Sequence, residues 1–208
     1  MEFTDTIFLI VVIIFSAVIH EVMHGVAADR LGDPTARYAG RLTLNPIPHL
    51  DPIGSVLLPI LLAFSGASFF FAWAKPVPYN PFNLRPGRFS EAIVAAAGPL
   101  SNLVLALITG LLMQTVSLAP EVNAVLFLIV VVNVMLFLFN LFPIPPLDGS
   151  KILSSLLPGA IGRVYDEWRM RMESNPFLGM GLVLVIIVVF GQAFGAFVFS
   201  VARLVAGV

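Results

Sequence analysis

Apolar residues run along this chain in long blocks, with the polar residues gathered between them. Four blocks predict helices of membrane-spanning length, at about 6–28, 90–116, 122–142 and 177–205. Each reaches the roughly 20 residues that cross a hydrocarbon core of about 30 Å. Ser90 stands where the second block opens, as an N-cap would. A fifth block, 51–73, is equally long but is interrupted by Pro52, Gly54, Pro59 and the Ser65–Gly66 pair. Broken helices survive at membrane depth only where protein or a cavity satisfies the backbone. This block therefore reads either as a re-entrant hairpin or as an additional span.

Shorter patterns lie between the blocks. Arg37, Ala39, Arg41 and Thr43 alternate with Tyr38, Gly40, Leu42 and Leu44. Period two predicts a short strand at the membrane surface, and the proline-edged stretch 71–78 is its candidate partner. Ile161, Val164, Tyr165, Trp168 and Met172 share one helical face, with Arg163, Arg169, Arg171 and Glu173 off it. That pattern predicts an interfacial amphipathic helix at about 160–173. The expected fold is an all-α polytopic membrane protein, a single domain over 1–208. It is a transmembrane helix bundle with a small membrane-associated β element at its cytoplasmic face.

Composition and charge sharpen this picture. Of 208 residues, 59% are hydrophobic and 11% charged, against about 25% charged in soluble domains, so lipid must cover part of the surface. A net charge of −1 provides no basic field for nucleic acid. The absence of cysteine excludes disulfides and thiolate metal sites. The N-terminus lacks the basic region of a signal peptide, so the first block reads as a retained span of a multi-pass cell-membrane (plasma or inner membrane) protein. Arg30, Arg37 and Arg41 follow the first block, Lys75, Arg85 and Arg88 precede the second, and Lys151, Arg163, Arg169 and Arg171 follow the third. The positive-inside rule places these segments in the cytoplasm and the N-terminus outside. That assignment requires 51–73 to enter and leave on one side.

The clearest chemistry is His20-Glu21-Val22-Met23-His24. Residues four apart on a helix share a face, so both imidazoles can reach one zinc ion. Glu21 sits beside them, placed to take a proton from a zinc-activated water. Three ionisable groups within an apolar span are costly to keep without a function; the bland reading is a polar cluster at a helix end touching the interface. A catalytic zinc normally has three protein ligands. Asp148 stands out as a third, after Pro143, Pro145 and Pro146, which are expected to force an extended stretch, and before Gly149, which leaves room for close backbone approach. The residues alone leave Asp148 open equally to a second role, as the N-cap of a following helix. Asn102 and Asn133 read more readily as hydrogen-bonding glue between helices than as functional groups. His49, in Asn45-Pro-Ile-Pro-His49-Leu-Asp51, reads as part of a hydrated interfacial loop, with a substrate-path role as the alternative.

Three pieces then occur in one order: His20 to His24, Gly98-Pro99-Leu100-Ser101-Asn102, and the run from Asn140 through Pro143, Pro145 and Pro146 to Asp148-Gly149. With them the chain resembles the site-2 protease family of intramembrane zinc metalloproteases over most of residues 6–157, as a short, near-minimal bacterial-type member. The resemblance implies Zn2+ as cofactor, His20, His24 and Asp148 as its ligands, and Glu21 as general base. It places Asn140 beside the site, holding substrate or the oxyanion. It implies hydrolysis of peptide bonds in transmembrane protein substrates, in regulated intramembrane proteolysis or clearance of membrane stubs. His20 lies about 14 residues into its helix, about 21 Å from the outer end, which puts the site towards the cytoplasm. The rival readings are a proteolytically silent relative that binds membrane segments and, with less support, a metal transporter.

Overall fold

The computed structural model describes residues 3–57, 61, 64 and 74–208. Its helices are α1 (Phe3–Arg30), α2 (Thr35–Tyr38), α3 (Ser90–Thr115), α4 (Pro120–Asn140), α5 (Asp148–Leu156), α6 (Gly159–Ser174) and α7 (Pro176–Ala206). Short 3-10 turns lie at Ile47–His49 and Pro81–Asn83, and a π-helical turn lies at Pro52–Leu57. The four long helices α1, α3, α4 and α7 coincide with the four apolar blocks, and each is long and apolar enough to cross a membrane. Their ends carry local start and stop signals, though not the cap read at Ser90: Phe89 is the N-cap of α3, and the Ser90 hydroxyl donates to the Arg85 carbonyl. Pro120 and Pro176 open α4 and α7, the Asn175 side chain accepts from the Phe177 N–H, and Gly207 closes α7 at φ 75°.

Helix α3 is the centre of the bundle, touching α1, α4, α5 and α7. Ala106 of α3, Val130 and Val134 of α4, and Val198 and Ala202 of α7 form a buried apolar core. Gly110 permits the close approach of α3 to α7, since a Cβ there would lie 2.3 Å from the Val205 carbonyl oxygen. At the other end of α3, Val94 packs with Ala28 and Leu84. Outward faces stay apolar: Ile108 and Leu111 on α3, and Val188, Phe190 and Phe197 on α7, are exposed. In water such faces would aggregate, and lipid is their natural cover. The protein is a multi-pass membrane protein.

The expected β element is not found: there is no strand among the described residues. Residues 35–38 form α2, and Gly40 turns at φ 65° while the Arg41 N–H returns to the Ala36 carbonyl at 3.0 Å. This is a glycine helix cap. The alternation read as a strand is the sequence of a short helix and its left-handed stop. Asp33 starts that helix by accepting from the Thr35 N–H and hydroxyl, a local turn signal that outweighs period two. Of the proposed partner stretch, 71–73 lie outside the described residues, and 74–78 form no helix and no ladder. The fifth block is likewise largely outside them. Residues 141–147 are a run of tight turns rather than an extended stretch, with the Ile144 N–H on the Phe142 carbonyl and the Leu147 N–H on the Ile144 carbonyl. The prolines do end α4, but backbone bonds close the loop. The amphipathic helix is α6. Its Arg169, placed off the apolar face by sequence, turns inward to Glu91 of α3 at 3.1 Å, and its Tyr165 hydroxyl donates to the Pro143 carbonyl.

Candidate metal centre

Three elements converge where α1, α3 and α5 meet. His20 and His24, one turn apart on α1, both face Asp148, the first residue of α5. The Asp148 Oδ2 atom lies 3.1 Å from Nε2 of His20 and 3.2 Å from Nε2 of His24. All three side chains are buried. Asp148 makes no helix-capping bond, so of the two readings left open by the sequence the carboxylate is turned to the histidines.

The histidine tautomers follow from their other ring nitrogens. Nδ1 of His24 is 2.8 Å from the Val94 carbonyl, which can only accept. Nδ1 of His20 is 2.6 Å from Asn102 Oδ1. The Asn102 amide is itself oriented, since its Nδ2 donates to the Ser16 carbonyl at 3.2 Å and to Asn133 Oδ1 at 2.9 Å. Asn133 is held in turn by donation to the Ile129 carbonyl and the Ser16 hydroxyl. Both Nδ1 atoms therefore carry a proton, and both Nε2 atoms face the space shared with Asp148, free to give a lone pair to a metal held there. This is the arrangement that metal-binding imidazoles need from their surroundings.

Does that space fit zinc? Three ligand atoms of His20, His24 and Asp148 lie within 4.8 Å of one another. Ligand distances of about 2.0–2.2 Å in a tetrahedron require separations of about 3.4 Å, close to the two measured here. Gly98 of α3 clears the volume: a Cβ there would lie 2.4 Å from Nε2 of His24 and 2.6 Å from Nε2 of His20. Two imidazoles and one carboxylate form a donor set that suits zinc, with a fourth position left for water or substrate. The residues fit the ion.

Glu21, next to His20 on α1, is bonded outside the three ligands. Its half-buried carboxylate accepts the Val77 N–H at 2.8 Å through Oε2. Asn140 ends α4 half-buried, and its Nδ2 donates to the Leu136 carbonyl of its own helix at 2.9 Å. Two further groups bear on the site, Asn102 and Asn133. They do join helices, as glue residues would, but the chain of bonds ends on a metal-facing histidine. Their presence in spans that are otherwise apolar was the available signal. The Val94 carbonyl carried no signal at all, since every residue has one. His49 is not in a hydrated loop: it is 1% exposed and packed against Arg41.

Comparison with known proteins points to the same metal. The model of Peptidase family M50 matches residues 111–172. The chain is 36% identical over 190 residues to "Putative zinc metalloprotease YwhC" of Bacillus subtilis, covering 87% of this chain and 80% of that protein. It is 33% identical over 144 residues to "Putative zinc metalloprotease Rip2" of Mycolicibacterium smegmatis, covering 67% of this chain and 53% of that one. The Rip2 protein of Mycobacterium tuberculosis is 33% identical over 143 residues, 66% of this chain and 52% of its own. The chain thus spans about half the length of the Rip2 proteins. No solved structure matches it. An identity of this level across four-fifths of a relative, together with the family match, makes this chain a member of the site-2 protease family, peptidase family M50, a membrane zinc metalloprotease.

Proposed function

We propose that this protein is an intramembrane endopeptidase that hydrolyses peptide bonds in membrane-spanning protein segments, with His20, His24 and Asp148 holding zinc and Glu21 as general base. The observation that carries the reading is the set of three buried ligand atoms on helices of a membrane bundle, with both Nδ1 protons engaged elsewhere. When bound, zinc supplies a Lewis acid that polarises the scissile carbonyl and acidifies water. The chain's own residues do the rest. Glu21 takes a proton from the attacking water and returns it to the leaving amine. Asn102 and the Val94 carbonyl hold the imidazoles in one tautomer. Asn140 stands ready to hold the substrate backbone or the developing oxyanion once its amide leaves Leu136.

The setting supports a substrate within the bilayer. His20 lies some ten residues, about 15 Å, from the Arg30 end of α1. Residues on both sides of 51–73 meet at that same end: the Lys75 N–H donates to the His49 carbonyl at 2.8 Å, and the Arg85 N–H to the Leu31 carbonyl at 2.7 Å. With the basic loops in the cytoplasm, the centre opens towards the cytoplasmic side of the cell membrane. Regulated proteolysis or clearance of membrane stubs are the roles such a site serves.

The test is Glu21→Gln in liposomes, against a single-span reporter whose Leu-rich helix carries one Gly-Pro pair. The variant should keep about one zinc per chain by elemental analysis yet lose at least a hundredfold in cleavage rate, the low end of what a general base contributes. A variant as active as wild type would refute the assignment of the base. An inactive wild type that holds zinc and retains intact reporter would favour the silent membrane-segment binder instead.

A further inference from the structure

Arg41 is buried, and among the described residues no carboxylate pairs with it. Its Nη2 donates to the Lys75 carbonyl at 2.7 Å and lies 3.5 Å from Nδ1 of His49, while its Nε has no partner. A guanidinium taken out of water and met only by neutral acceptors costs stability. His49 is more deeply buried still, with Nε2 3.0 Å from the Thr43 carbonyl. Its backbone carbonyl accepts the Lys75 N–H. Lys75 is therefore gripped by both backbone groups, one by Arg41 and one by residue 49.

Two residues further on, the Val77 N–H meets Oε2 of Glu21. Pro76 and Pro78 flank Val77, so the link from 75 to 77 is stiff and Val77 carries the donor between them. The Val77 side chain is buried, and it lies where Gly25 leaves room on α1, since a Cβ at Gly25 would sit 2.9 Å from it. Among the described residues nothing else bonds the Glu21 carboxylate, which leaves Oε1 available to a water.

We propose that Arg41 and His49 are positioning residues for the reaction, clamping residue 75 by its backbone and thereby aiming the Val77 N–H at Oε2 of Glu21. This rests on Glu21 being the general base. A carboxylate on a flexible side chain can swing about χ1 and χ2, and a fixed donor on one oxygen holds the other towards the metal centre. The cost of a buried guanidinium is then the cost of a preorganised base. The arrangement also explains why the short helix α2 and its Gly40 stop lie here: together they turn Arg41 inward.

The experiment measures kcat and KM on the single-span reporter in liposomes, with zinc content, for Arg41→Lys, His49→Gln, Val77→Pro and the Arg41→Lys/Val77→Pro pair. Val77→Pro removes the donor, and Arg41→Lys keeps the charge while losing the fork. Each single variant should lower kcat by about tenfold with KM and one zinc per chain unchanged, as supporting residues around metal sites do. The pair should be no worse than either single change, because both act through one hydrogen bond. Losses that multiply to about a hundredfold, unchanged kcat, or a change confined to KM would overturn the proposal. So would a rise in kcat, which would make the Val77 contact a restraint on the base. Glu21→Gln is measured alongside. If it keeps wild-type activity, the base assignment has failed; if it is inactive while the other variants are unaffected, the positioning role alone has failed.

Discussion

Gly98 and Asn102 define the centre at the scale of single residues, and each makes a separate demand. Alanine is favoured over glycine in a helix by about 1 kcal/mol, so Gly98→Ala would strengthen α3 if space allowed. Space does not allow it, because the new methyl would fall between the two Nε2 atoms. The expected outcome is folded protein carrying at most a tenth of the wild-type zinc by elemental analysis. Asn102→Ala leaves room but strands the Nδ1 proton of His20 and the Ser16 carbonyl. Losing such a partner weakens metal binding by about 10–100-fold, which competition with a chromogenic chelator would read. Asn133→Ala acts one bond further away and should weaken zinc less. Equal affinities for Asn102→Ala and wild type would show that the His20 tautomer does not depend on this amide.

At the scale of elements, the loop layer over the Arg30 end of α1 is held by polar side chains more than by apolar packing. Asp33 is fully buried and accepts from the Thr35 N–H and hydroxyl, the Asn80 N–H and Asn83 Nδ2. It joins the start of α2 to the turn before α3. Burial opposes its charge, but these donors outweigh burial and hold its pKa below the usual 3.8. A carboxyl depressed in this way stabilises the fold above pH 3.8, and that contribution is lost as pH falls through the lowered value. Asp33→Ala should cost about 2–4 kcal/mol at neutral pH through its orphaned donors. In detergent, the gap in melting temperature between wild type and Asp33→Asn should narrow as pH drops below 3.8. A gap that stayed constant would show that the charge of Asp33 is not what the loops depend on. Helix α6 is tied by a similar logic, with Arg169 reaching Glu91 of α3, Glu173 and Asp166.

At the scale of the whole molecule, four spanning helices and the 51–73 segment share one bilayer. The N-terminal segment and the α3–α4 connection should lie on one side, with the loops around Arg37 and Arg85 together on the other. The protein has no cysteine, so single cysteines at Arg37 and Arg85 report cleanly. Both should react with an impermeant maleimide only when the cytoplasmic face is open. Labelling from opposite faces would make 51–73 a true span and reverse the orientation of α3, α4 and α7. The backbone bonds from Lys75 to His49 and from Arg85 to Leu31 argue for a common side, because each joins the stretch after 51–73 to the stretch before it.

The spanning helices, the pairing of His20 with His24 and the order of motifs that marks the family were all legible in the chain alone. These are properties of near neighbours: hydropathy summed over about 20 residues, and a spacing of four on a helix. The errors of a sequence reading were also local. Period two between 37 and 44 could not show that Asp33 and Gly40 would close a helix there, and three prolines did not show that 141–147 would fold into turns. The rest came from packing between distant elements. The contact of His20 with Asp148 spans 128 positions and that with Asn102 spans 82. Such contacts exist because α3, cleared at Gly98 and Gly110, brings α1, α5 and α7 against one axis. Arg41 and His49 belong to the same class, since nothing in a charged loop residue reveals that packing will bury it. Burial and hydrogen-bond direction arise between elements, whereas the sequence shows directly only what happens within them.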